Sequence, residues 1–323
     1  MSAASVASGP RIDRAAVQAA RGALARGPRE FLRQTPLLKL PASAIGLSGF
    51  EVWLKLEHLQ VGGSFKARGM LNRLLAHRLT QAGVIVASGG NAGIATAAAA
   101  RALGAKCEVF VPTVSPKAKQ DKLRALGAEV VVTGAAYAQA YEACLERQQQ
   151  TGALMTHAYD QPEVLTGAGT LAAEIEAQAG VPDSILVSVG GGGLIGGIAA
   201  WFGQQARVVA LEPVGAATLY RAREAGQPVD VEVSGLAADS LGARRIGHLA
   251  WEVTQREVRQ ALLLEDKDIA QAQAWLWKEL RLAVEPAAAL GLAALHTGAY
   301  RPQAGERVCL VLCGANFDPS VLA

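Results

Sequence analysis

Three short stretches of this chain combine residue types that suit chemistry better than solvation. The first is Gly62-Gly63-Ser64-Phe65-Lys66-Ala67-Arg68-Gly69, which puts a lysine directly behind an aromatic ring and after small residues. An amine attacks a carbonyl only when it is unprotonated. A lysine held against apolar surface, with Arg68 two residues on, is expected to have a lowered pKa. Taken alone, the stretch also fits an exposed lysine opening a helix over Ala67–Arg78. The second is Ser88-Gly89-Gly90-Asn91-Ala92-Gly93, between the apolar run Val84–Ala87 and the helix-forming run Ala92–Leu103. Backbone amides converge at a helix N-terminus and favour an anion there, so a carboxylate fits. Asn91 can donate to a ring oxygen. By itself this stretch also reads as a helix cap in a tight turn.

The third stretch, Gly190–Gly193, follows Ile185–Val189 and opens the run Leu194–Gln204. Consecutive glycines let backbone amides close around a phosphate without Cβ interference. An imine-forming amine, a carboxylate pocket and a phosphate cradle are together the equipment for pyridoxal phosphate acting on an amino acid. A rival exists. Gly191-x-Gly193-x-x-Gly196 fits the dinucleotide fingerprint, with Glu212 ending the next strand where a ribose-binding acid would sit. A Rossmann NAD-dependent dehydrogenase is therefore a second reading, although it leaves the first two stretches without a task.

These loops need a frame. Short apolar runs at Val52–Leu56, Val84–Ala87, Cys107–Val111, Val130–Val132, Ile185–Val189, Val208–Leu211 and Val308–Leu312 read as parallel strands buried on both faces. Helix formers lie between them, at Ala92–Leu103, Lys117–Leu126, Ala135–Gln149, Pro162–Ala179, Leu194–Gln204 and Asp268–Ala283. A first helix is expected from Asp13 to about Ala25, and residues 1 to about 10 read as disordered. Gly127 and Gly180 stand just past helix ends, where a left-handed residue is expected. Alternation of this kind predicts an α/β fold with open, mostly parallel twisted sheets flanked by helices.

With 323 residues the chain can build two cores. A net charge of +3 is too small to argue for nucleic acid or a membrane surface, and neither is expected as partner. No apolar stretch is long enough to span a bilayer. Cys107, Cys144, Cys309 and Cys313 show neither disulfide nor zinc spacing, which suits reduced cysteines in a cytoplasmic protein.

The ordered set of motifs resembles the fold-type-II pyridoxal-phosphate enzymes of the serine/threonine dehydratase family, of the liver-type serine dehydratase kind. The resemblance runs from Thr35-Pro36-Leu37 through Lys55-Leu56-Glu57 and the three loops. It continues through Gly167-Ala168-Gly169-Thr170 and Val284-Glu285-Pro286 to Cys313-Gly314-Ala315-Asn316. It implies a tryptophan synthase β-like fold, with a small domain at 61–155 inserted in a large one at 1–60 and 156–323, and a homodimer. It implies Lys66 as the imine-forming lysine and general base, Phe65 along the cofactor ring and Asn91 on its 3′-oxygen. Gly190, Gly191, Gly192, Gly193 and the amide of Leu194 would hold the phosphate, and Cys313 would face the pyridine nitrogen. Ser88, Gly89, Asn91 and Ala92 would hold the substrate carboxylate. The implied reaction is α,β-elimination from L-serine or L-threonine to a 2-oxo acid and ammonia.

Departures from the pattern narrow this. Racemases of the family use a serine as second base where this chain has Gly89, so racemisation is not expected. Glu212 and the carbonyl of Ala216 match a cation site, but Thr218 replaces its second acid, which leaves a monovalent ion such as K⁺ rather than Mg²⁺. The chain ends within about ten residues of Cys313, so the regulatory module of long threonine dehydratases, and feedback by isoleucine, are not expected. Substrate choice stays open. Gly89 and Ala92 leave a small pocket without a cation for a β-carboxylate, but Arg244 or Arg245 could supply one for 3-hydroxyaspartate. A bulkier phenylserine-like substrate and a β-replacement reaction stay open too, and a silent carrier of the cofactor is the non-enzyme reading.

Overall fold

The computed structural model describes residues 11–322, so the disorder expected at residues 1 to about 10 lies outside it. Among the described residues, ten strands form two sheets. The larger has the order β1 (Leu37–Pro41), β2 (Glu51–Lys55), β10 (Arg307–Val311), β7 (Ser184–Ser188), β8 (Arg207–Pro213) and β9 (Gln260–Leu264). Only β1 runs antiparallel, pairing Leu38 with Leu54. The smaller sheet has the order β5 (Glu129–Val132), β4 (Cys107–Val111), β3 (Val84–Ala87) and β6 (Leu154–Thr156), all parallel. Every residue of β3 and β7 is buried, as strands covered on both faces require.

The helices are α1 (Arg14–Ala25), α2 (Lys66–Leu75), α3 (Asn91–Ala102), α4 (Lys117–Ala125), α5 (Tyr137–Thr151), α6 (Pro162–Ala179), α7 (Gly193–Phe202), α8 (Thr218–Ala225), α9 (His248–Glu257), α10 (Asp266–Leu280) and α11 (Pro286–His296). The expected strands and helices are present with ends shifted by a few residues. Gly127 is left-handed as expected, whereas Gly180 has a positive φ of 84° but an extended ψ of −173°. Three strands and three helices carry no strong local signal. Leucine-rich β1 and β9 and the three-residue β6 lie at sheet edges, and α8 and α9 are short. Helix α11 is buried nearly all round, so it lacks the polar face that marks amphipathic period.

Two features position the chemistry. First, α2, α6 and α7 touch backbone to backbone. A Cβ at Gly69 would lie 2.7 Å from the carbonyl of Val164, and one at Gly197 would lie 2.3 Å from that of Leu165. Second, the loops after β3, β7 and β10 all leave the carboxyl ends of parallel strands, where open α/β sheets bind ligands.

Candidate active site

Lys66 opens α2, one residue before the helix start expected from sequence. Its amine lies 5.0 Å from the centre of the Phe65 ring and donates to the carbonyl of Ala158 at 2.6 Å. Burial lowers its pKa to about 8, against the pull of Cys313 and Glu285 in the other direction. Arg68 does not contribute, contrary to the sequence expectation. Two positions along a helix turn a side chain roughly 200° away. The Arg68 guanidinium meets Glu57 at 2.5 Å and Glu174 at 2.9 Å instead, and buried Lys55 joins Glu174 at 2.6 Å. This ionic network anchors the start of α2 to α6 and to the segment after β2.

The loop after β3 turns directly into α3. A Cβ at Gly93 would fall 1.8 Å from the carbonyl of Ser88, so only glycine fits. Gly90 caps the helix without a side chain, which leaves first-turn amides open to an anion. Asn91 donates its amide to both oxygens of Glu285, at 3.0 and 3.1 Å, and its own oxygen accepts from Asn316 at 2.6 Å.

After β7, Gly192 takes a φ of +86° and α7 starts at Gly193 with no side-chain cap. A Cβ at Gly191 would overlap the ring of Tyr159, and one at Gly192 would press on Ile246 and Ala250 at 2.5 and 2.6 Å. Cys313, at the end of the β10 segment, is buried, which raises its thiol pKa and keeps it protonated. Phe65, Lys66, Asn91, Gly190–Gly193, Leu194 and Cys313 line one cavity. Ser88, Gly89, Asn91 and Ala92 line a neighbouring cavity of about 380 Å³. Lys66, Asn91, Tyr159 and Gly191 border both.

Glu212 and Ala216 line neither cavity. Glu212, next to last in β8, is fully buried and accepts the amides of Leu219 and Tyr220 at 2.8 and 2.7 Å, capping α8. Burial raises its pKa to about 7 against those donors. Thr218 donates to the carbonyl of Gly190 at 2.5 Å and so ties this region to the glycine loop.

The arrangement fits pyridoxal phosphate: a glycine cradle at a helix N-terminus for its phosphate, and a buried amine of lowered pKa for its aldehyde. The profile of the pyridoxal-phosphate dependent enzymes matches residues 29–314. The chain belongs to that family. Its fold is the fold-type-II architecture of these enzymes. The chain is 33% identical over 299 residues to a serine racemase of Arabidopsis thaliana, covering 90% of each. It is 33% identical over 300 residues to a phenylserine dehydratase of Ralstonia pickettii, covering 91% of each. The structure matches a T.th. threonine deaminase with a TM-score of 0.86 and 34% identity, over 95% of this chain and 99% of that one. The dinucleotide reading of the glycine loop gives way to the family match, which spans residues 29–314 and takes in all three loops.

Several residues of this site have no role that the sequence alone reveals. Glu285 and Asn316 stand in Val284-Glu285-Pro286 and Cys313-Gly314-Ala315-Asn316, yet their grip on Asn91 shows only in three dimensions. Tyr159, Ser188, Ser240 and Leu241 also line the cofactor cavity, and Tyr137 borders the larger one. No local pattern marks them. Arg244 and Arg245, noted from sequence as bordering the site, do line the larger cavity. Among the described residues no helix is long and apolar enough to cross a membrane.

Proposed function

We propose that this enzyme dehydrates and deaminates a β-hydroxy amino acid, with L-serine and L-threonine as the simplest substrates, to a 2-oxo acid and ammonia. The observation that carries this reading is Lys66, an amine of lowered pKa bordering a cavity of about 380 Å³ that the Ser88–Ala92 loop also lines. When bound, the cofactor supplies the sink for the electron pair left behind by the α-proton. Phe65 would line its ring, and the amides of Gly190–Leu194 would hold its phosphate. Lys66 would take the α-proton as general base. The amides of Ser88–Ala92 would orient the substrate carboxylate, and Asn91, held by Glu285, would bond the ring oxygen. Cys313, kept protonated by burial, would offer the ring nitrogen a neutral partner.

Racemisation is the second reading, favoured by the serine racemase relative. Gly89 weighs against it, since it offers no side chain to return a proton to the opposite face. The test is 2-oxo acid release by the cofactor-loaded protein given L-serine and L-threonine in parallel. Release supports the lyase; D-serine without 2-oxo acid overturns it in favour of a racemase. A monovalent cation at Glu212 and the Ala216 carbonyl belongs to the proposal, tested by exchanging K⁺ for a bulky organic cation. So does a homodimer, tested by light scattering.

A further inference from the structure

The larger cavity is lined by two tyrosine rings and by several residues with little or no side chain. Tyr159 packs edge-on against His157 with centroids 4.6 Å apart, His157 edge-on against Tyr141 at 6.3 Å, and Tyr141 stacks on Tyr137 at 6.1 Å. Tyr137 and Tyr159 face the cavity, and the other two rings back them. His157 is neutral here. Its Nδ1 accepts the amide of Asp160 at 3.0 Å, and burial lowers its pKa. Tyr159 is fixed in place against Gly191, where no Cβ would fit. Tyr137 lines the cavity with 52% of its surface exposed, so its ring is open to a ligand.

Asp239, Arg244 and Arg245 also line the cavity, as do Gly89, Gly90, Gly242 and Ala243, which have no atom beyond Cβ. Two of them are held small: a Cβ at Gly242 would lie 2.6 Å from the carbonyl of Ala238, and one at Gly89 would press on Ser115 and Val111 at 3.2 and 3.3 Å. The result is a slot with an aromatic side. The hydroxymethyl group of serine would leave most of it wet, whereas a flat ring would cover Tyr137 and Tyr159 in the stacked or edge-on contacts that such rings prefer.

We propose that Tyr137 and Tyr159 determine substrate specificity by selecting β-hydroxy amino acids that carry an aryl group on Cβ. The inference rests on the elimination reading above and names the substrate class of the same site.

Two measurements on the cofactor-loaded protein test it. Calorimetry compares L-phenylalanine with L-alanine, neither of which has a β-leaving group, so binding is read without turnover. Steady-state assays compare 3-phenyl-L-serine, L-serine and 3-hydroxy-L-aspartate. L-phenylalanine is expected to bind at least about tenfold tighter than L-alanine, and kcat/KM for phenylserine to exceed that for serine by at least about tenfold. Both ratios should fall several-fold in Tyr137→Ala, a substitution of an exposed residue that leaves the core untouched, and further in Tyr159→Leu. Equal binding of L-phenylalanine and L-alanine overturns the proposal. So does a preference for 3-hydroxyaspartate, which would make Arg244 the selecting group. If none of the hydroxy acids is turned over, the elimination reading fails, while the calorimetric ratio still decides the aryl slot.

Discussion

Asn91 and Glu285 are 194 positions apart in the chain, yet the Asn91 amide donates to both Glu285 oxygens, at 3.0 and 3.1 Å. Asn316 holds the other end of that amide, so its orientation is settled with nitrogen toward Glu285. Asn91 also lines the cofactor cavity. Glutamine at position 285 would turn an NH₂ against the Asn91 NH₂. Leaving a buried donor without its acceptor costs about 1–3 kcal/mol, so Glu285→Gln should weaken pyridoxal-phosphate binding by at least about fivefold. Absorbance titration of the cofactor-free protein reads this directly. Affinity within twofold of the parent would show that Glu285 does not position Asn91.

Lys66 supplies a pH signature. Burial holds its pKa near 8 instead of the ordinary 10.5. Only the unprotonated amine acylates, so in the cofactor-free protein the reactivity of Lys66 toward an acylating reagent should rise through about pH 8. Exposed lysines should rise about two units later. Peptide mass spectrometry after brief labelling across pH 6 to 11 separates them. The same shift acts on stability. The folded chain releases this proton at lower pH than the unfolded chain, so its contribution to stability grows as pH climbs from about 8 to about 10.5. A Lys66 midpoint near 10.5 would contradict the buried, reactive amine.

How much of this was legible in the sequence depended on whether a function is carried by neighbours in the chain. The task proposed for Gly190–Gly193 needs backbone amides alone, and the run of missing side chains is itself the signal. Lys66 and Asn91 sit in similar local settings, each opening a helix after small residues. Glu285, Tyr159 and Tyr137 arrive singly from distant segments, and only the crossing of strands and helices brings them together. Arg68 shows the opposite failure. Proximity in sequence suggested an effect on Lys66, but helical rotation sends the guanidinium to Glu57 and Glu174. The missed strands β1, β6 and β9 are sheet edges whose leucines and alanines have little strand preference of their own.

The glycine cradle can be tested without assay of turnover. Gly192 combines a φ of +86° with a Cβ direction blocked by Ile246 and Ala250. Gly192→Ala must both strain the backbone and displace a buried contact, so it should destabilise the fold by about 1–3 kcal/mol. It should also weaken cofactor binding, because the loop amides can no longer converge. Gly226→Ala is the control: it too has positive φ, of 70°, but nothing stands within 4 Å of its Cβ. Chemical denaturation of both variants separates strain alone from strain with crowding. Equal losses would mean that the packing around Gly192 is unimportant.

Lys119 of α4 reaches Asp239 at 2.5 Å, bridging the helix beside the smaller sheet to the segment that borders the substrate cavity. Asp239 is 71% exposed, so solvent screens the pair. Ion pairs of this kind contribute about 0.2–1 kcal/mol, which bounds the effect of losing one at about fivefold. Lys119→Ala should therefore raise KM by no more than about fivefold while kcat changes less, since the bridge holds the cavity mouth and touches none of the reacting groups. Raising salt should produce the same KM change in the parent protein and little in the variant. If KM of the parent is insensitive to salt and the variant matches it, the bridge does not help to close the site.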